Sequence, residues 1–441
     1  MLCPSPALLT DLYELTMAAV LVAEGKAEIP AVFSLFIRDL PPNRGYLVAA
    51  GLEDVLAYLN RLRFTGDDLA GLARLGRFDP AFLDWLGELR FTGTVRAVPE
   101  GRIVFADEPL LEVRAPFGAA QLLETWLLNQ VTLQTVLATK SSRCRRAAAG
   151  RTLVDFALRR THGADAGMKM ARSAAMVGFS ATSNVAAALH YGLTASGTMA
   201  HSFVTAHASE LDAFRAFARH HFDDPVLLVD TYDTATGVDN AIRVGLELKA
   251  AGGKRLAAIR LDSGDLVALS RLARSRLDAA ALHEVRIIAS GGLDEYAIAR
   301  LLAAGAPIDG FGVGTLVGVS YDAPTLESVY KLVEVDGRPV AKYSPGKATL
   351  PGAKQVWRRP GFAGDVLGLE HEEGPDPGAE ALLVEVPVAP AADAATAVRV
   401  ARDRFEADWA ALPQEYQRLE DPARYPLELS PGLRGMTTLS G

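Results

Sequence analysis

The sequence predicts an α/β protein, with parallel βα units in its middle and a smaller antiparallel sheet split between its two ends. Three observations carry this reading. Between about 150 and 320, short apolar runs alternate with helical stretches. Residues 92–115, TGTVRAVPEGRIVFADEPLLEVRA, are β-rich runs broken by PEG and DEP turns. After 325, VYKLVEVDGRPVAKYSP reads as a hairpin around Asp-Gly that joins the earlier small sheet.

The remaining elements follow in order. The first 60 residues are helical and then mixed, and PPNRGYLVAAGLEDVLAYL places a turn before an amphipathic helix. Residues 119–149 form one long apolar helical segment. The central runs are TLVDFA, GLTASGT, PVLLVDTYDT, RLAAIRLDSGD, VRIIASGG and IDGFGVGT. TATGVDNAIRVGLELKAAG and LDEYAIARLLAAGA are helices among them. About six strands leave an eight-fold barrel incomplete. VAPAADAATA reads as a linker, followed by a last helix, AVRVARDRFEADWAAL, and an irregular tail. The expected segments are 1–135, helical with part of the small sheet; 136–325, the barrel; and 326–441, which completes the sheet and adds the tail.

Composition narrows the function classes. The 441 residues are 49% hydrophobic and 22% charged, enough for a large core. A net charge of −8 offers no footprint for nucleic acid or an anionic membrane. No apolar run approaches the roughly 18 residues of a membrane-spanning helix, and the start lacks a signal-peptide pattern. Two isolated cysteines, Cys3 and Cys144, form neither a zinc ribbon nor a disulfide framework and suit a reducing cytoplasm.

Chemistry gathers where the strands end. Asp155, Ser196 to His201, Asp230 and Asp233, Asp262 with Ser263, Ser290-Gly291-Gly292, and Gly312 to Thr315 each follow a predicted strand. Ligands of parallel α/β folds sit at that edge. One aspartate after a strand is usually a helix cap; six polar ends in succession point to a site rim. The two adjacent glycine turns allow backbone N–H groups to approach an anion. Arg260 and Asp262, two apart on a strand, share a face; they suit an anion and sugar hydroxyls or a metal, or else form an internal ion pair. Arg159 and Arg160 add positive charge in an arginine-rich chain. His201 lies in a polar gap, GTMAHSFV, as a helix cap or an open imidazole. These residues suggest group transfer on a phosphorylated small molecule.

In order, TDLYELTM, DFALRR, GTMAHSFV, DTYDT, RLDSGDL, ASGGLDE, GFGVGT and KYSPGKATLPGAKQVWR resemble the nicotinate phosphoribosyltransferase family over residues 10–360. The resemblance implies an irregular, incomplete α/β barrel with an additional α+β open sandwich domain built from both chain ends. It implies Tyr13 and Phe156 stacking on the pyridine, with Tyr13 supplied by the neighbouring subunit of a head-to-tail homodimer. Arg159, Thr198 and Arg260 would contact nicotinate or phosphoribosyl pyrophosphate. Asp262, Ser263 and Gly264 would hold the ribose, and Gly291, Gly292, Gly312, Gly314 and Thr315 the 5-phosphate. His201 would accept a phosphoryl group from ATP, the co-substrate, with Mg²⁺ carried on the pyrophosphate or ATP and no metal site of the protein's own. Ser183, in SATSNVAA, stands where the nicotinamide-specific sister enzymes have an aspartate, which favours a carboxylate-bearing base. The alternatives are the nicotinamide enzyme and a non-catalytic phosphometabolite-binding relative. Ala157 stands where glycine is common, and Lys140 where asparagine is frequent.

Overall fold

The computed structural model describes residues 5–221, 224–342 and 349–438. Its contacts group residues 1–139 with 325–441 in one unit and 140–324 in a second.

The second unit is built on an open sheet of six parallel strands: β1 (Thr152–Asp155), β2 (Ala181–Thr182), β3 (Val226–Leu228), β4 (Ala258–Leu261), β5 (Arg286–Ala289) and β6 (Gly310–Val313). The spatial order is β2-β1-β6-β5-β4-β3, so the sheet ends in two edges and does not close. Helices such as Thr234–Ala251 and Leu266–Ala279 connect the strands, started by Asp233 and Asp265 accepting from backbone N–H groups of the first turn. Leu227, Ile259, Leu261, Ile287 and Phe311 are buried in or beside the sheet. Parallel alignment brings all the strand carboxyl ends to one edge.

In the first unit, strand Pro30–Ile37 pairs antiparallel with Ser328–Val335 on one side and Pro109–Pro116 on the other. It is buried from its second residue onward, which explains its nearly continuous apolar run, PAVFSLFI, interrupted only by Ser34. The hairpin turn at Asp336-Gly337 has both residues at positive φ, as a two-residue turn of this kind requires. A second sheet combines Lys354–Arg358, Asp365–Leu369, Glu380–Ala381 and Leu427–Leu429.

Four expectations change. GLTASGT is not a strand; only Ala195 bridges to Thr182, and the strand is the preceding Ala181–Thr182. The long helix is broken at 122–123, into Phe117–Gln121 and Glu124–Ala148. The last four residues of the supposed linker are helix, because Asp393 caps Ala394–Ala411 by accepting from Ala395 and Thr396 N–H. The tail is irregular only up to 426, since Leu427–Leu429 pairs parallel with Asp365–Leu367 and a helix, Pro431–Thr438, follows. Cys3 and part of KYSPGKATLPGAKQVWR (343–348) lie outside the described residues. Among the described residues, no helix is long and apolar enough to cross a membrane.

The first unit is pinned by a buried cation. The Arg358 guanidinium donates to Asp365 at 2.7 Å and to the Ile103 carbonyl at 2.6 Å. It also lies 4.4 Å from the Phe362 ring centroid. Tyr425 Oη donates to the same carboxylate at 2.7 Å. Asp365→Ala removes the closest counter-charge of Arg358 and leaves only Asp408 and Glu108, at 3.7 and 3.9 Å, and we expect a loss of about 3–5 kcal/mol in urea unfolding. A loss below about 1 kcal/mol would show that Asp408, Glu108, the carbonyl and the ring hold Arg358 without Asp365.

Candidate functional site

The site is assembled at the carboxyl edge of the parallel sheet, beginning with Arg260 near the end of β4. In this parallel sheet Arg260 aligns with Ile288 of β5 and Leu228 of β3. Its Nη1 donates to Thr198 Oγ1 at 2.9 Å and its Nη2 to the Met199 carbonyl at 3.1 Å, while Nε is buried without a partner. No carboxylate forms an ion pair with it among the described residues. Burial lowers its pKa, opposed by the more distant Asp262 and Asp230 and reinforced by Arg159. The Phe156 ring centroid lies 6.0 Å from the guanidinium. Arg260 therefore presents an under-satisfied cation beside an aromatic ring, a combination suited to a planar anion.

Phe156 follows β1, its N–H bonded to the Val313 carbonyl of β6 at 2.7 Å. Its ring occupies the space a Cβ on Gly312 would need, which explains a glycine inside a buried strand. Gly318 likewise makes room for the fully buried Ala157. Arg159 lies exposed in the short turn Leu158–Arg160. Ser183 follows β2 half-buried, its N–H bonded to the Asp155 carbonyl at 2.8 Å.

Asp262 is held from three directions. Its N–H donates to Asp230 Oδ2 at 2.9 Å, its Oδ1 accepts from Ser290 Oγ, and its carbonyl lies where a Cβ on Gly291 would fall. Asp230 also accepts from Ser263 Oγ at 2.6 Å, and its Oδ1 is buried without a partner. Gly264, Gly291 and Gly292 all have positive φ, and Gly264 turns the chain against Leu269. Gly314 precedes the short helix Thr315–Gly318, with Thr315 exposed at its start. His201 is exposed at the start of the helix His201–Thr205, with Nδ1 3.1 Å from Thr231 Oγ1.

The edge thus brings Phe156, Thr198, Arg260, Asp262, Ser263, Ser290, Gly291 and Gly312 into one chain of contacts. Not every polar strand end belongs to it. Asp155 is buried, its carboxyl accepting from Thr182 Oγ1 and Ala157 N–H, and burial raises its pKa; it ties β1 to β2. Asp233 is a helix cap. Tyr13 belongs to the other unit, 46% exposed on the helix Leu12–Ala23. Burial, then Glu124 and Glu14, raise its phenol pKa. The sequence reading named Asp230 only as a strand end and missed Thr231. The adjacent Asp-Thr pair at the end of VLLVDT was the available signal.

Gly291→Ala would force a Cβ onto the Asp262 carbonyl at a positive φ. We expect a stability loss of about 1–3 kcal/mol on thermal unfolding, together with displacement of Asp262. An unchanged melting temperature would contradict the close approach.

Residues 8–132 match the nicotinate phosphoribosyltransferase (NAPRTase) N-terminal domain, and residues 152–358 match the nicotinate phosphoribosyltransferase (NAPRTase) family. Nicotinate phosphoribosyltransferase pncB2 of Mycobacterium tuberculosis is 48% identical over 97% of this chain and 92% of its own. The Bacillus subtilis nicotinate phosphoribosyltransferase is 44% identical over 79% and 72%. The crystal structure of human nicotinic acid phosphoribosyltransferase superposes with a TM-score of 0.87 at 30% identity, covering 98% of this chain and all of that one. The nicotinate-nucleotide pyrophosphorylase of Pyrococcus furiosus shares the fold, with a TM-score of 0.75 at 24% identity. With both family domains matched and relatives this similar along nearly its whole length, the chain belongs to the nicotinate phosphoribosyltransferase family.

Proposed function

We propose that this chain joins nicotinate to 5-phosphoribosyl 1-pyrophosphate, forming nicotinate mononucleotide and pyrophosphate, with ATP hydrolysis coupled through a phosphohistidine at His201. The observation that carries the transfer reading is Arg260, a half-buried cation whose buried Nε has no partner, beside the Phe156 ring. An aromatic carboxylate or a phosphate would supply the missing counter-charge. The names of the relatives support the same substrates.

In this reading Phe156 supports one face of the pyridine and Tyr13 of a second subunit the other, in a head-to-tail dimer. The pyridine nitrogen already has a free lone pair, so it needs orientation rather than a general base. It attacks C1 of the ribose as the C1–O bond to pyrophosphate breaks, through a transition state of oxocarbenium character. Arg260, Arg159 and Thr198 would stabilise the anionic groups. Asp262, Ser263 and Gly264 would receive the sugar, and the turns holding Gly291, Gly292, Gly312, Gly314 and Thr315 the 5-phosphate.

No group of three or more metal-ligating side chains occurs among the described residues. The donor set suits Mg²⁺ held chiefly by substrate phosphates, with Asp230, whose Oδ1 lacks a partner, and Asp262 as protein carboxylates. When bound, that ion would neutralise charge on the leaving pyrophosphate. His201 suits phosphorylation because it is exposed and Thr231 orients its Nδ1.

Turnover of nicotinate and nicotinamide, each with and without ATP, tests this directly. We expect nicotinate to be preferred, ATP to accelerate it, and His201→Ala to abolish ADP release and the acceleration. Preferred turnover of nicotinamide would overturn the base assignment, and binding of the sugar pyrophosphate without product would make the chain a binding protein. Ser183→Asp should lower kcat/KM for nicotinate at least tenfold, about 1.4 kcal/mol, by repelling its carboxylate. An unchanged value would remove Ser183 from the base pocket.

A further inference from the structure

Lys140 lies inside the long helix Glu124–Ala148 yet is only 1% exposed. With Arg143, also 1% exposed, it shares one helix face at i, i+3 spacing. Its Nζ reaches Glu295 Oε2 at 2.6 Å and Asp322 Oδ1 at 2.6 Å. Arg143 Nε takes the other Glu295 oxygen at 2.8 Å, and its Nη2 donates to Tyr296 Oη at 2.9 Å. Burial opposes the Lys140 charge, but Glu295 and Asp322 outweigh it and leave its pKa raised.

The two carboxylates sit where the glycine turns end. Glu295 opens the helix Glu295–Ala303, three residues after Gly292, and Asp322 follows the short helix Thr315–Gly318 that Gly314 introduces. Each turn is fixed at its front by the ladder of β5 or β6. Gly291 is held at the strand end by its close approach to the Asp262 carbonyl, but beyond it the first turn is open, with free space around a Cβ position on Gly292. Glycine backbone left to itself is conformationally permissive. An ion cluster whose cations are buried adds little stability over apolar packing, yet it demands one geometry.

We propose that Lys140 and Arg143 are positioning residues: a two-cation clasp that holds both glycine turns, through Glu295 and Asp322, in the arrangement that receives the sugar phosphate. The phosphate assignment rests on the function proposed above, whereas the clasp itself is a property of the unliganded chain.

The test uses Asp322→Asn, whose side chain is 29% exposed and so tolerates change, with Asp322→Glu, Lys140→Met and the Lys140→Met/Asp322→Asn pair. Phosphoribosyl pyrophosphate binding is measured by calorimetry, KM and kcat by turnover, and amide exchange by mass spectrometry. We expect Asp322→Asn to weaken binding and raise KM about tenfold with kcat within about twofold, and Asp322→Glu to recover most of that loss. Exchange should accelerate at 290–295 and 314–322 but not in β4. The double variant should be no worse than Lys140→Met alone, because both break one linkage.

Unchanged binding in the single variants overturns the proposal, as does faster exchange across the whole sheet, which would mark a merely structural role. If the unaltered protein fails to bind phosphoribosyl pyrophosphate, the functional reading falls, and exchange alone judges the clasp. Acceleration confined to the two turns then sustains it, and no acceleration sinks it.

Discussion

An arginine partly withdrawn from water without a carboxylate paired to it is the constraint around which the site is organised. Removing a cation from water is costly unless it is paired and fully hydrogen-bonded. Arg260 has only a hydroxyl and a carbonyl as direct partners, and one buried N–H without any. Asp230 and Asp262 favour its charge from a distance without pairing with it, and one oxygen of each accepts from backbone or hydroxyl donors of the neighbouring turns. An anionic ligand at Arg260 would therefore complete an existing arrangement instead of displacing an internal salt bridge.

Close backbone approach makes that arrangement narrow. Gly291 packs against the Asp262 carbonyl and Gly312 beneath the Phe156 ring, so neighbouring strand ends interlock without room for a side chain. Asp230 joins the ends of β3 and β4 through the Asp262 N–H and the Ser263 hydroxyl. Preorganisation of this kind lets a site hold charge without rearranging at the moment of reaction. Buried Lys140, Arg143 and Glu295, with the more exposed Asp322, meet where the same turns end, so a glycine-rich rim is braced at its ends.

Parts of the site were legible because they are local. Arg260 and Asp262 stood out as polar residues at one strand end, although the strand itself stops at Leu261, and the paired glycine turns announced backbone meant for close approach. The same local reading overvalued Asp155 and Asp233. One ties two strands and the other caps a helix, and an aspartate after a strand looks alike in all these roles. Thr231 and Asp230 were undervalued because their partners, His201 and Ser263, lie about thirty residues away in either direction. Lys140 could not be read at all. Its two carboxylates are more than 150 residues distant, and a lone lysine in a helix carries no mark of burial.

By itself the sequence determined the alternation of strand and helix, the Asp-Gly hairpin, and the order of motifs that places the chain in its family. These are matters of periodicity, turn chemistry and spacing, which act over a few residues. Only the tertiary structure decided the strand order β2-β1-β6-β5-β4-β3, the pairing of residues 30–37 with 328–335, and the use of the tail as a strand. It also decided which polar strand ends meet. Pairing between distant segments is selected by which apolar faces can be buried together and which backbone groups must find partners. Neither condition is written in the neighbourhood of any one residue.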